Sequence, residues 1–153
     1  MLFRSSPSST WATRRNGRDR ELTQFNTDPN ADYEWQLCPD GTRIAIAKSG
    51  EGQIHILSLR GQPEIEVKVN GWRSLENLNW SADGKGFFVA SRTSDSSVML
   101  YVDLRGNASI LWMQKGTLGN ESAGTVGIPS PDGRHLAMMG FTLSGNMWMM
   151  EDF

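Results

Sequence analysis

A serine in a short glycine-containing segment is the feature of this chain that comes nearest to an enzyme motif. Ser122 lies in NESAG (120–124), which is close to the Gly-x-Ser-x-Gly elbow that presents the nucleophile of esterases. That elbow needs glycine at both ends and a helix after it, because its turn brings two backbone segments into contact. Here position 120 is Asn, and the next residues, TVGIP (125–129), cannot start a helix. We therefore expect Ser122 to be a polar loop residue.

The histidines and the cysteine are too few and too scattered to predict a catalytic or metal site. His55 stands in an apolar segment and His135 follows a turn, so neither belongs to a cluster with the spacing of metal ligands. Cys38 is the only cysteine, which excludes an intrachain disulfide, and it has no basic neighbour in sequence that would favour a thiolate. We expect no metal, no cofactor and no enzymatic activity.

Four arginines near the start of the chain could contact phosphate groups. Arg14, Arg15, Arg18 and Arg20 help to give the first 25 residues a formal charge of +3, from five arginines against one Asp and one Glu. A solvated hairpin around residues 16–17 explains these arginines without any ligand. The whole chain has a formal charge of -2, which gives no general attraction to nucleic acid or to anionic membranes. Weak nucleic-acid contact is thus an alternative that we do not favour.

Composition describes a turn-rich globular protein. The 153 residues are 38% hydrophobic and 21% charged and include 16 glycines, which does not suit a disordered chain. The sequence shows no apolar stretch of signal-peptide length and no run of about 18 apolar residues. We expect a soluble chain that is not membrane-bound, while its compartment, cytoplasmic or periplasmic, stays open.

Two series of turns repeat with one period along the chain. The first reads LCPDGTR (37–43), WSADGKG (80–86) and PSPDGRH (129–135), and its Asp-Gly pairs are 43 (40 to 83) and then 49 (83 to 132) residues apart. The second series has glycines at 17, 61 and 106, which are 44 and 45 residues apart. A repeat of this length, built on strand-turn-strand units, is typical of β-propeller blades.

The elements that must carry these turns are β-strands. Asp-Gly favours tight hairpins, which predicts strands at 33–37, 78–81 and 126–130 before the turns and at 43–48, 86–91 and 135–141 after them. Residues 64–69 alternate between polar and apolar, as an outer strand does, whereas IAIA (44–47) is apolar throughout and suits a strand covered on both faces. Only two strands, near 10–14 and 21–25, are predicted before them.

The predicted fold is all-β, with propeller blades that are four-stranded antiparallel meanders. We divide residues 1–153 into about three blades of a partial propeller: the end of a blade at 10–25, blades at 33–69 and 76–113, and an incomplete last blade at 125–153. Propellers close with roughly 4–8 blades. The missing blades would come from a longer chain, of which this is the C-terminal part, or from self-association, and we favour the former.

These motifs make the chain resemble the TolB-like, WD-repeat-like propellers of bacteria. Blades of that family carry Trp-x-Pro-Asp-Gly followed by an apolar strand; this chain departs mildly, with Ser81-Ala82 where Ser-Pro is usual and with Cys38 before the first proline. The ending at 145–153 resembles proteins that join such a propeller to a winged-helix DNA-binding domain or a serine/threonine kinase domain. The same propeller type also caps prolyl-oligopeptidase-like hydrolases. The repeated turns and the lack of a credible active site predict a non-catalytic sensory or scaffolding module of a larger protein that binds a protein, a peptide or another ligand. The alternative is the propeller portion of such a hydrolase without its catalytic domain.

Binding residues are expected on one side of the meander. The tight turns should share one rim, while the more varied loops at 27–32, 50–52, 70–74, 92–96, 114–124 and 142–145 form the opposite one, which we call the loop rim. Trp72 and Arg73 lie there and are residue types enriched at interface hot spots. They are the predicted binding residues, whereas Trp35 and Trp80, just before Asp-Gly turns, should pack in the core or between blades.

Overall fold

The structure, a computed structural model, describes residues 2–4, 8–15, 18–115 and 125–139, with side chains described within 25–115 and 125–139. These residues form strands and contain no helix. The thirteen strands are β1 (Leu2–Arg4), β2 (Ser8–Arg15), β3 (Arg18–Asn26), β4 (Tyr33–Leu37), β5 (Arg43–Lys48), β6 (Gln53–Ser58), β7 (Ile65–Lys68), β8 (Glu76–Trp80), β9 (Gly86–Arg92), β10 (Ser96–Asp103), β11 (Ala108–Lys115), β12 (Val126–Pro129) and β13 (Leu136–Met139).

Each sheet is an antiparallel meander whose strands pair in sequence order. The sheets are β1-β2-β3, β4-β5-β6-β7, β8-β9-β10-β11 and β12-β13. The first strands of successive sheets lie side by side, since β4 contacts β8 and β8 contacts β12. Sheets arranged around their first strands in this way are blades, and the prediction of an all-β fold with four-stranded meanders is confirmed.

The strand boundaries depart from the sequence prediction at the edges. Strand β1 was not predicted, because three residues are too few to show a period of two. Strand β8 starts two residues earlier than predicted, through an irregularity between Glu76 and Asn79 in its pairing with β9. Within this irregularity Asn77 has a positive φ of 51°, which no sequence pattern predicted. The end of the strand predicted at 135–141 lies outside the described residues.

The main core lies between the two four-stranded sheets. Side chains of β5 and β6 meet those of β9 and β10, and the small Ala45 and Ala47 allow the sheets to approach closely. All four residues at 44–47 are buried, as predicted: Ile44 and Ile46 pack on the other face with Phe25 and Tyr33. The large, fully buried members of the core are Phe87, Ile54, Ile56, Leu75, Leu78, Leu100, Val89 and Val98.

The two tryptophans that precede Asp-Gly turns have different surroundings. Trp80 is only 4% exposed, and its indole Nε1 donates a hydrogen bond to the Gln36 carbonyl of the preceding sheet at 3.0 Å. Inter-blade packing is therefore confirmed for Trp80. Trp35 is 37% exposed, more than predicted. The outer strand β7 shows a similar departure, since Val67 is buried but Ile65 is 52% exposed.

Candidate binding site on the loop rim

The Asp-Gly turns are held by their own aspartates. Oδ1 of Asp83 accepts hydrogen bonds from the Ser81 hydroxyl at 2.7 Å and the Lys85 backbone N–H at 3.1 Å, and Asp40 and Asp132 make corresponding bonds in their turns. These hydrogen bonds to the charged form lower the pKa of each carboxyl. The repeated aspartates thus shape turns.

The turn at Gly106 contacts the segment 68–70, which leaves the outer strand of the preceding blade. The backbone N–H of Asn70 donates to the Gly106 carbonyl at 3.0 Å, and a Cβ on Gly106 would meet the carbonyl oxygen of Lys68. Within its own blade this turn lies at the same end as the Asp83-Gly84 turn, as predicted, because Asp103 pairs with Gly86. Successive strands of a sheet rotate by roughly 20–25°, so the third and fourth strands of a blade swing toward the preceding blade.

A cavity of about 770 Å³ opens on the loop rim beside the junction of the two complete blades. It contains both predicted binding residues. Trp72 is half-buried and packs against the main core, while Arg73 is exposed. The lining residues are Gly50, Glu51, Gly52, Gln53, Lys68, Val69, Gly71, Trp72, Arg73, Ser74, Arg92 and Thr93.

Backbone contacts fix the position of Trp72 in this cavity. Gly52 has a φ of 68°, and a Cβ there would collide with the Trp72 carbonyl oxygen, so only glycine permits this close approach. The Val69 N–H donates to the Gly52 carbonyl at 2.9 Å and ties the two loops together. The backbone of Trp72 is consequently held against the loop between β5 and β6, and its side chain packs on the main core.

The cavity carries an excess of positive charge. Its lining holds the cations Lys68, Arg73 and Arg92 against one carboxylate, Glu51, for a formal charge of +2. Glu51 is already engaged, because its Oε1 lies 2.7 Å from Lys48 Nζ, and this hydrogen bond raises the pKa of Lys48. Within the described residues, Lys68 and Arg73 form no salt bridge.

Arg92 separates this cavity from a second, acidic one of about 410 Å³. Arg92 Nη2 lies 2.5 Å from Glu76 Oε1 and lines both cavities. The second cavity also holds Asp32 and Glu34 at the start of the inner strand β4. Desolvation raises the pKa of Glu34, with further contributions from the charges of Glu76 and Asp32. Two neighbouring cavities of opposite charge therefore occupy this side of the blades.

The remaining candidates from the sequence are not brought together. His55 Nδ1 lies 2.5 Å from Glu64 Oε1, with Phe25 against the imidazole ring. His135 follows the third Asp-Gly turn, and its backbone N–H donates to the Ser130 hydroxyl at 3.0 Å. Cys38 is buried, and desolvation raises its thiol pKa. In the described part of the chain, no three His, Cys, Asp or Glu side chains are placed to hold a metal.

Two further sets of candidates fall outside what the structure describes. Ser122 lies in the segment 116–124, which is not described. Arg14, Arg15, Arg18 and Arg20 belong to β2 and β3, whose backbone pairing is described but whose side chains at these positions are not. The esterase-like segment and the arginine cluster thus stay predictions from sequence.

Comparison with solved structures identifies the architecture. A protein of Agrobacterium tumefaciens provisionally named TolB matches with a TM-score of 0.59 and 19% identity, over 82% of this chain and 42% of its own. TolB from Acinetobacter baumannii matches with a TM-score of 0.50 and 19% identity, over 86% of this chain and 40% of its own. The sheets are blades of a TolB-like β-propeller. Neither a known protein family nor a curated protein matches the sequence.

Another solved structure with this fold carries the name of an enzyme. A protein of Bacteroides uniformis provisionally named 6-phosphogluconolactonase matches with a TM-score of 0.51 and 14% identity, over 86% of this chain and 40% of its own. The chain spans about two fifths of the length of these structures. Identities this low show the fold alone, so function has to be argued from the site.

No helix within the described residues is long and apolar enough to cross a membrane.

Proposed function

We propose that this chain is a non-catalytic β-propeller module that binds a protein or peptide on its loop rim, through Trp72 and Arg73. The observation that carries the proposal is the 770 Å³ cavity lined by a half-buried indole, Trp72, and by the guanidinium of Arg73, which forms no salt bridge within the described residues. Tryptophan and arginine are the types that most often dominate binding energy when they line such a pocket.

The site is suited to binding because its anchor is already ordered. Trp72 rests on the core and its loop is tied to Gly52, so little conformational entropy is lost when a partner covers it. The site is less suited to catalysis. The one carboxylate in its lining, Glu51, is engaged by Lys48, and the lining contains no histidine or cysteine that could serve as base or nucleophile. The two hydroxyls of the lining, Ser74 and Thr93, donate to the carboxylates of Glu76 and Asp95 and have no histidine beside them in the lining.

We also propose that a further blade covers the last described sheet, supplied by a longer chain or by a second copy. Among the described residues of this sheet, Ile128 is 56% exposed and Met139 is 48% exposed, and exposed apolar side chains on a sheet face favour association. Light scattering tests this: a discrete oligomer supports completion by copies, aggregation supports completion by a longer chain, and a folded monomer would overturn both versions.

Selection from a random heptapeptide library displayed on phage tests the binding function. We expect the intact chain to enrich peptides, and Arg73→Ala and Trp72→Phe to enrich them poorly. Arg60→Ala, an exposed arginine in the turn after β6, is the matched control and should behave as the intact chain. Failure to enrich any peptide, or equal enrichment by the Arg73 variant, would overturn the proposal.

A catalytic assay completes the test. Hydrolysis of p-nitrophenyl esters or of 6-phosphogluconolactone by the purified chain, abolished by Ser122→Ala or by His55→Ala, would show that the module is an enzyme after all. We expect no hydrolysis above the rate in buffer.

A further inference from the structure

We infer that the loop-rim cavity selects an acidic peptide segment, whose carboxylates meet Lys68 and Arg73 while an apolar side chain rests on Trp72. This inference rests on the proposed binding function and names the chemistry of the partner.

Charge supports an acidic partner. The cavity lining has a formal charge of +2, whereas the whole chain has a formal charge of -2, so the site and the whole protein have opposite net charges. A concave positive site attracts carboxylates and raises their local concentration. Arginine binds a carboxylate through two parallel hydrogen bonds, and Arg73 has no partner that would compete for them within the described residues.

The three cations are not equivalent. Arg92 is held by Glu76, through Nη2 at 2.5 Å and Nε at 3.1 Å, and its guanidinium is therefore largely satisfied. Lys68 ends strand β7 and Arg73 lies in the loop that follows, both exposed and without salt bridges among the described residues. Lys68 and Arg73 should therefore bind the acidic residues of a peptide, whereas Arg92 should contribute only to the shape of the cavity.

The neighbouring acidic cavity argues for a peptide over a polyanion. Asp32, Glu34 and Glu76 lie on the far side of Arg92. A nucleic acid carries a charge on every residue and would place phosphates near these carboxylates, which costs free energy. A peptide carries its acidic residues at chosen positions and can place them over Lys68 and Arg73 alone. Trp72, which lines the same cavity, offers the apolar contact that a short peptide needs in addition.

The test measures first the amino-acid composition of the enriched peptides and then the affinity of one of them for the chain. Heptapeptides enriched on the intact chain should contain an excess of Asp and Glu beside an aromatic or aliphatic residue. For one enriched peptide, a synthetic copy with each Asp or Glu replaced by Asn or Gln should bind about tenfold more weakly at about 50 mM salt. Arg73→Gln and Lys68→Gln should remove most of this difference, whereas Arg60→Gln should leave it intact.

Several outcomes would overturn the inference without touching the proposed function. Enriched peptides without an acidic excess, or equal affinity for the acidic and amide versions, would show that the site binds peptides by other means. Equal or tighter binding of inorganic triphosphate or of a single-stranded DNA oligonucleotide, sensitive to Arg73→Gln, would show a general anion site. If no peptide is enriched at all, the binding function itself fails. Thermal unfolding of each variant checks that the fold is kept.

Discussion

The guanidinium of Arg43 lies over the indole of Trp80, with its central carbon 4.8 Å from the ring centroid. Arg43 belongs to β5 in one blade and Trp80 to β8 in the next, so this cation-π contact bridges the boundary between blades. Arg43 Nη2 also donates to the Gly84 carbonyl at 3.0 Å, in the turn that follows Trp80. A single side chain thus couples the first Asp-Gly region to the second.

We expect Arg43→Ala to lower the free energy of unfolding by about 1–2 kcal/mol, since it removes a cation-π contact and a charge-assisted hydrogen bond at a partly buried site. Arg43→Lys keeps the charge but loses the planar group, and it should be intermediate. Urea unfolding measures this. A loss no greater than that of Arg60→Ala would contradict the coupling role.

Gly106 and Gly61 form a matched pair for testing how the blades are joined. Both have positive φ, 84° and 77°, so alanine strains the backbone similarly at each. At Gly106 a Cβ would also collide with the Lys68 carbonyl oxygen, whereas at Gly61 the space is open. We expect Gly106→Ala to be the more destabilising by about 1–3 kcal/mol, because the blade boundary must shift. Equal urea midpoints for the two variants would contradict this contact.

The free energy of unfolding should decrease at acidic pH, because the aspartates of the Asp-Gly turns become protonated. Hydrogen bonds from the Ser81 hydroxyl, the Thr42 N–H and the Ser130 hydroxyl lower the folded pKa values of Asp83, Asp40 and Asp132 below the ordinary value of 3.8. A lowered folded pKa stabilises the fold above the unfolded pKa, and this contribution is lost as pH falls through the folded value.

Urea midpoints between about pH 5 and pH 2.5 should therefore decrease, and Asp83→Asn should flatten part of that decrease. Ser81→Ala removes the donor to the same carboxylate and should flatten it as well. If the pH dependence of both variants matches that of the intact chain, the turn carboxylates do not carry the acid sensitivity.

The Cys38 thiol should be unreactive in the folded protein. Its side chain is buried and its pKa is raised, chiefly by desolvation, so little thiolate is present or accessible near neutral pH. Ellman's reagent at about pH 8 should react with one thiol only after unfolding in guanidinium. Immediate stoichiometric reaction of the native chain would contradict the burial of Cys38.

Much of the fold could be predicted because its signals are local. The glycine of each Asp-Gly pair supplies the positive φ of its turn, and IAIA (44–47) shows by its lack of alternation that both faces are covered. Strand β1, the irregularity at Asn77 and the exposure of Trp35 could not be predicted, because they depend on pairing and packing with distant residues.

The candidate site was predictable in kind but not in detail. Trp72 and Arg73 could be placed on the loop rim because a meander alternates its connections between two ends. That Lys68 joins them, and that Gly52 holds the Trp72 loop by close approach, follows only from the three-dimensional contact of two loops. The charge of the cavity was equally hidden, because its cations are spread over residues 68–92.

Hydrogen-deuterium exchange of the intact chain, with and without a library-selected peptide, tests the location of binding most directly. We predict slower amide exchange at 50–53 and 68–74, where a bound segment would cover the cavity, and unchanged exchange in the Asp-Gly turns at 38–42 and 81–85. Protection confined to those turns, with exchange at 68–74 unaltered, would contradict the assignment of the loop-rim cavity as the binding site.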